Sequence, residues 1–265
     1  MTLTAAQTRA ASDLIFAHWQ DGTRIAALPE TLRPATRAEG YAVQVHLEAR
    51  SATKLFGWKI AATSQAGQTH IGVDGPLAGR LLGEHVYQDG ATLPWAHNFM
   101  GVAEAEFAFR MARDLPPRAA PYTVAEVLDA VASLHPAIEV PDSRFSDFAR
   151  VGAAQLIADN ACGHDFVLGP AATVAWRALD LVEHRATARI TGGTVHDGIG
   201  RNVLGDPRVA LAWLANELSA HGITLGAGQI VTTGTCLIPL PIAPGAEMIA
   251  DFGVLGRVSA RFGAA

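Results

Sequence analysis

Gly101-Val102-Ala103-Glu104-Ala105-Glu106-Phe107-Ala108-Phe109 is the stretch on which the reading of this chain turns. Its small apolar and aromatic residues fit a buried strand, with two carboxylates set two residues apart. Side chains on a strand alternate between faces, so Glu104 and Glu106 share one. Two ionised carboxylates side by side on an apolar strand repel each other and lose their hydration. A hard divalent cation such as Mg²⁺ or Mn²⁺ would resolve the conflict, because such ions take oxygen ligands. The same spacing also fits a strand whose polar face looks into water, where alternate glutamates are harmless. A third carboxylate, Glu139, lies in another short apolar run, Pro136-Ala137-Ile138-Glu139-Val140-Pro141-Asp142. A facial set of three oxygen ligands would need such a residue from a second strand.

The surrounding 265 residues provide ample core for one large domain or two small ones. A hydrophobic share of 49% with a net charge of -5 fits a soluble globular enzyme. It gives no electrostatic reason to expect nucleic acid or an anionic membrane as partner. Apolar runs are broken by Gly and Pro before they reach membrane-spanning length. Asp13 falls where a signal peptide would be apolar. Cys162 and Cys236 lack metal-ligand spacing and read as free thiols, so the expected location is the reducing cytoplasm.

The chain opens with helical periodicity over 4–20, capped by Thr4 and closed by Asp21-Gly22, and again over 37–51. From Lys54 the pattern shifts toward strands, beginning with Leu55 to Ala61 around the single Lys59. That lysine is either a snorkelling surface residue or a functional cation. Gly67 to Gly83 reads as loop and turn, and its glycines form no dinucleotide-binding fingerprint. A helix is expected over 123–134, with Thr123 and Glu126 as a capping box, followed by the Glu139 strand. Asp142 and Arg144 suggest a local ion pair. Helix over 151–161, strand over 166–169 and strand over 182–190 follow. A helix begins at Asp206-Pro207 and ends at Gly222, and strands fill 230–235 and 248–262. Helices in front and strands behind indicate an α+β protein with a helical segment at 1–53 and a β-rich catalytic region at 54–265, forming one structural unit.

Several segments then occur together in order: Tyr41-Ala42-Val43-Gln44, Gly57-Trp58-Lys59-Ile60, Glu104-Ala105-Glu106, Pro136 to Val140 with Asp142-Ser143-Arg144, and Ala158-Asp159-Asn160-Ala161. Val203-Leu204-Gly205-Asp206-Pro207, Ala212-Trp213-Leu214-Ala215-Asn216 and Asp251-Phe252-Gly253-Val254-Leu255-Gly256 complete the set. Over nearly its whole length the chain resembles the 2-keto-4-pentenoate hydratase and 4-oxalocrotonate decarboxylase family of the fumarylacetoacetase superfamily. The resemblance implies a mixed β-roll of the fumarylacetoacetase C-terminal type with helices outside, usually assembled into homo-oligomers. It also implies that Glu104, Glu106 and Glu139 ligate Mg²⁺ or Mn²⁺, that Lys59 reaches the carboxylate or keto oxygen of a 2-keto acid, and that the Thr235 region lines the substrate site. The implied chemistry is lyase chemistry through a metal-stabilised enolate, as in hydration of 2-hydroxypenta-2,4-dienoate. Decarboxylation of a 4-oxalocrotonate-type substrate is the alternative, and a role as the non-catalytic partner subunit of an active paralogue is a further one.

The chain departs from that pattern in three places, one of them the unusual run Asn98-Phe99-Met100-Gly101 before the paired glutamates. Leu77 stands where hydratases of this kind carry an acid, with Ala78 where an aromatic is usual. Cys162-Gly163-His164-Asp165 replaces a polar, Ser-rich stretch. A leucine cannot carry a proton, so His70 and His164 become candidate proton carriers, each weighed against an ordinary packing or surface role. Glu84-His85 is the pair to inspect for a water-activating role.

Overall fold

The computed structural model describes residues 2–95 and 98–264. In chain order the helices are α1 (Ala5–Asp21), α2 (Arg37–Gln44), α3 (Gln65–His70), α4 (Val124–Asp129), α5 (Ala153–Ala158) and α6 (Pro207–Ala220). The strands are β1 (Gly57–Ala61), β2 (Leu77–Leu81), β3 (Val86–Gln88), β4 (Thr92–Leu93), β5 (Val102–Met111), β6 (Val131–Val140) and β7 (Asp165–Leu168). They continue with β8 (Arg185–Ile190), β9 (His196–Ile199), β10 (Ile230–Thr235), β11 (Leu240–Pro241), β12 (Glu247–Asp251) and β13 (Arg257–Phe262). One eight-stranded sheet runs β2-β1-β10-β5-β6-β7-β3, with β11 added to β5, and a five-stranded sheet runs β4-β13-β12-β8-β9. The α+β reading and the mixed sheet hold, since β1–β10, β3–β7 and β4–β13 are parallel pairs among antiparallel ones.

The opening stretch explains the layering. Ala103, Ala105, Phe107 and Phe109 of β5 join Leu134, Ile138 and Val140 of β6 in the main core. There they share a cluster with Ala186 and Ala188 of β8, Met248 and Ala250 of β12, and Val258 and Ala260 of β13. The even-numbered residues of β5 are left on the other face of the large sheet. Phe107 meets Phe252 edge-on, with ring centroids 5.0 Å apart.

Capping chemistry sets the helix starts. Thr4, Thr36 and Thr123 each form a capping box, with Gln7, Glu39 and Glu126 respectively. Asp206 caps α6 with Pro207 at its first position, and Gly22 closes α1 in the left-handed conformation.

Three local expectations need correction. The helix from Thr123 ends at Asp129, not 134, because β6 begins at Val131 and runs through Pro136. A proline removes a ladder donor but keeps its acceptor, and the Pro136 carbonyl accepts from the Gly169 amide at 2.9 Å. The stretch from Gly67 to Gly83 is not all loop. Ser64 caps the short helix α3, and β2 pairs antiparallel with β1 from Gly57↔Leu81 to Ala61↔Leu77. Finally, Asp142 and Arg144 do not pair side chain to side chain. Arg144 pairs with Asp159, while Asp142 takes Arg24, because both partners lie within reach on packed neighbouring segments.

Candidate metal centre on the large sheet

The ladder places the three glutamates together. Glu104 is directly opposite Glu139 in the β5–β6 pair, and Glu106, two residues along, is opposite Ala137. All three therefore point to the same side, away from the main core. One carboxylate oxygen from each lies within 4.8 Å of the other two. Glu106 is fully buried and Glu139 is 1% exposed, while Glu104 keeps some exposure at the rim.

Lys59 reaches the same place from β1. The register Lys59↔Thr232 and Thr232↔Ala108 aligns its face with that of the glutamates across β10. Lys59 is three strand spacings from Glu139, about 14 Å in a flat sheet. Its Nζ nevertheless sits 3.2 Å from Glu139 Oε1, so the sheet curls around this face. Nζ also donates to the Ala161 carbonyl at 3.0 Å.

That carbonyl is presented by an unusual turn. Asn160, Ala161 and Cys162 have φ of 58°, 50° and 59°, a left-handed run without glycine. Such a conformation costs about 1–2 kcal/mol for each ordinary residue. The Asn160 side chain holds the turn by accepting from the Arg80 amide at 2.6 Å and donating to the Arg80 carbonyl at 2.9 Å. A Cβ on Gly79 would collide with the Asn160 backbone carbonyl, so β2 needs glycine where the turn docks.

Glu106 is anchored on one side only. Its Oε2 accepts from the Thr232 hydroxyl and from the Gly234 amide, the latter at 2.8 Å. Gly234 has φ of 95°, and a Cβ there would strike the Thr63 hydroxyl. By contrast, Glu106 Oε1 and both oxygens of Glu139 are buried and accept no aligned hydrogen bond from the described residues. Buried polar atoms are nearly always satisfied, so Glu106 Oε1 and Glu139 Oε2, left without any partner, and Glu139 Oε1, met only by the Lys59 ammonium, are a strong sign of a cation site. The donor set fits a hard divalent ion.

The electrostatics agree. Burial, reinforced by the charges of Glu139 and Glu104, pushes Glu106 well above the usual carboxylate range. Burial raises Glu139 to about 8 against the opposing pull of Lys59, and it raises Glu104 as well. For Lys59 burial acts to lower the pKa, but the Glu139 and Glu104 charges outweigh it and the net shift is upward. One ammonium among three acids leaves an excess of negative charge for a cation to neutralise.

The remaining sequence candidates fall at varied distances from this cluster. Thr235 pairs with Glu106 across β10–β5, and its hydroxyl donates to the Leu237 carbonyl at 2.7 Å. Leu77 is fully buried at the start of β2, beside Ala61. His70 is exposed at the end of α3, edge-on to Phe148 with ring centroids 6.0 Å apart. His164 lies against Trp19, His85 and Asp165 rather than among the glutamates. Glu84 and His85 do not form a pair: Glu84 accepts from the Ser51 hydroxyl at 2.6 Å, whereas His85 bonds Asp165. Cys162 is an inert thiol, pushed up to about 12 chiefly by burial.

Sequence reasoning missed Thr232, Gly234 and the Asn160–Cys162 turn. Thr232-Thr233-Gly234-Thr235 carried the only readable signal, a glycine interrupting a β-branched strand.

Comparison with known proteins places this geometry in context. The family model for the fumarylacetoacetate (FAA) hydrolase C-terminal domain matches residues 84–262. A 2-keto-4-pentenoate hydratase of Burkholderia vietnamiensis (strain G4 / LMG 22486) is 34% identical over 244 residues, covering 91% of this chain and 92% of the relative. The structure of 4-oxalocrotonate decarboxylase from Pseudomonas putida G7 complexed with magnesium and adipate superposes with a TM-score of 0.89 at 29% identity, covering 98% of this chain and 99% of that one. The same enzyme complexed with calcium and acetate gives a TM-score of 0.87, with the same identity and coverage. Among the described residues no helix is long and apolar enough to cross a membrane.

Proposed function

The chain belongs to the FAA hydrolase family, in the branch of 2-keto-4-pentenoate hydratases and 4-oxalocrotonate decarboxylases, and from that premise we propose that it is a divalent-metal-dependent lyase of hydratase type. Its substrate is a short unsaturated 2-keto acid such as 2-hydroxypenta-2,4-dienoate. The observation that carries the reading is the convergence of Glu104, Glu106 and Glu139, with Glu106 Oε1 and Glu139 Oε2 buried and unpartnered. These residues would hold Mg²⁺ or Mn²⁺, and the ion would supply Lewis-acid stabilisation of negative charge on a 2-keto acid.

The chain's own residues supply the rest. Lys59, fixed by the Ala161 carbonyl and by Glu139, offers a buried ammonium to the substrate carboxylate or keto oxygen. Thr235, opposite Glu106, lines the approach. The strained turn acts by keeping the Lys59 amine from collapsing elsewhere. The helical residues 1–53 work as part of the same unit as 54–265, since Gln44 donates to the Ala78 and Ile157 carbonyls and Glu48 pairs with Arg80 at 2.7 Å. Assembly as a homo-oligomer, or with a paralogous subunit, accompanies this reading.

Leu77 favours a second reading. A buried leucine brings no group able to carry a proton to the end of β2. Decarboxylation of a 2-oxohex-3-enedioate-type substrate places the electron pair released with CO₂ into the conjugated keto acid and needs no attacking water. The test is turnover of the purified chain alone, with Mg²⁺ or Mn²⁺, against 2-hydroxypenta-2,4-dienoate and 2-oxohex-3-enedioate. Hydration without CO₂ release supports the first reading, and CO₂ release without hydration replaces it with the second. Failure to turn over either substrate overturns both and leaves a non-catalytic partner role.

A further inference from the structure

The altered segment Cys162-Gly163-His164-Asp165 has a place in the fold that the lyase chemistry leaves unused. β3 and β7 run parallel with Val86 beside Phe166, and continuing that register back one residue sets His85 beside Asp165. Across β6–β7, Asp165 is opposite Val140, on the sheet face opposite to that of Glu139. We propose that His85, His164 and Asp165 form a second metal site, for a divalent transition ion such as Zn²⁺, separate from the three glutamates.

The geometry is close to what such an ion needs. His85 Nδ1 is 2.9 Å from Asp165 Oδ1, and His164 Nε2 is 3.8 Å from Asp165 Oδ2. One ligand atom from each of the three residues lies within 4.8 Å of the others. Tetrahedral zinc with bonds of about 2.0–2.2 Å sets its ligand atoms roughly 3.4 Å apart, so modest side-chain rotation closes the site.

A second observation points to a ligand. Neither ring nitrogen of His164 makes a hydrogen bond to any described residue, so the imidazole is uncommitted and either nitrogen can be turned toward Asp165. The ring is held in place: Trp19 stacks near His164 and His85 at centroid separations of 5.5 and 5.1 Å, and Arg144 covers Trp19 at 4.3 Å. Tyr87 on β3, two residues along from His85, lines the same cavity as Asp165.

The charges also leave room for a cation. Asp142 is paired with Arg24 and Asp159 with Arg144. Among the described residues Asp165 has only imidazoles as ion-pair partners. Two imidazole nitrogens with one carboxylate suit zinc and its neighbours better than Mg²⁺. A cavity of about 210 Å³ opens onto the three side chains and leaves a coordination position for water. An ion there would tie the three-residue edge strand β3 to β7.

The test uses the untagged, full-length Glu106→Gln protein, so that binding at the glutamates and binding here fail independently. Isothermal titration with Zn²⁺ and absorption spectroscopy with Co²⁺ are expected to show one site per chain, with a visible spectrum typical of four-coordinate cobalt. Adding His85→Gln or His164→Gln should weaken binding by more than 100-fold. Circular dichroism and metal-free melting check that each variant is folded. His85 is the more exposed of the two, so its variant decides the matter if His164→Gln unfolds. Absence of Zn²⁺ and Co²⁺ binding in Glu106→Gln, or binding indifferent to His85→Gln, overturns the proposal.

Discussion

Glu106→Gln separates the metal response of this protein from its fold. Without an ion, burial and the neighbouring carboxylates push Glu106 well above the usual range, which favours its neutral acid form. Glutamine copies that shape and charge, and its side-chain oxygen can still accept from Thr232 and Gly234. The metal-free variant should therefore lie within about 1 kcal/mol of the parent at pH 6. The metal response should behave very differently. An ion at 100 times its Kd stabilises the native state by about 2.7 kcal/mol. For a chain of this size that is a rise in Tm of roughly 5–10 °C. Changing a residue that only orients a ligand already costs about 10–100-fold in affinity, and removing a charged ligand should exceed that. The rise should vanish in Glu106→Gln. Raising the pH adds a signature. The unfolded chain ionises its carboxyls in the ordinary range, while burial in the native protein favours the protonated form of Glu106. The metal-free parent therefore loses up to about 1.4 kcal/mol per pH unit for each group so held, and the variant is spared one of them. At pH 8 and without metal, Glu106→Gln should melt above the parent. Differential scanning fluorimetry with and without MgCl₂ at pH 6 and 8 reads all of this. A full Mg²⁺ shift in the variant, or a metal-free collapse at pH 6, would refute the reasoning.

Glu139, raised to about 8, must lose its proton to bind a cation. The stabilisation by a fixed Mg²⁺ concentration should consequently grow from pH 6 to pH 8, and a flat or falling response in melting scans would contradict the site. Lys59→Met should raise KM for a 2-keto acid by at least roughly tenfold while calorimetry still detects the metal, because the glutamates remain; unchanged KM would remove Lys59 from the substrate site. Gly234→Ala forces a side chain into a φ of 95° against Thr63, and a loss of about 2–4 kcal/mol in urea unfolding is expected. Thr63→Gly should restore only part of it, since the backbone strain persists. Arg144→Met leaves Asp159 buried without its cation and should cost about 3–5 kcal/mol by the same assay; a neutral effect would show that Ser143 and the Arg144 amide satisfy that acid unaided.

What could be read in advance, and what could not, divides along a physical line. Strand alternation is a local signal, and over 101–109 every odd position is small or apolar while two even positions are ionisable, so the shared face of Glu104 and Glu106 was legible in nine residues. Helix starts were legible for the same reason, because Thr123 and Glu126 satisfy each other within one turn. β2 was missed because Gly79, required where the Asn160 carbonyl approaches, breaks the apolar rhythm of a five-residue strand. The partners of Asp142 and Arg144 were misassigned because proximity in sequence favoured a pair that the folded chain replaces with Arg24, 118 residues away, and Asp159. The left-handed turn at Asn160–Cys162 had no signal, since glycine usually marks that conformation and none is present. Its strain is sustained by contacts to Arg80 and Arg144 that exist only after β2, β6 and α5 have packed. Its geometry, and with it the carbonyl that holds Lys59, therefore depends on that packing. The acidic half of the site is thus written into one strand pair, whereas the basic half depends on tertiary closure. A mutation that loosens closure should disable Lys59 before it disperses the glutamates.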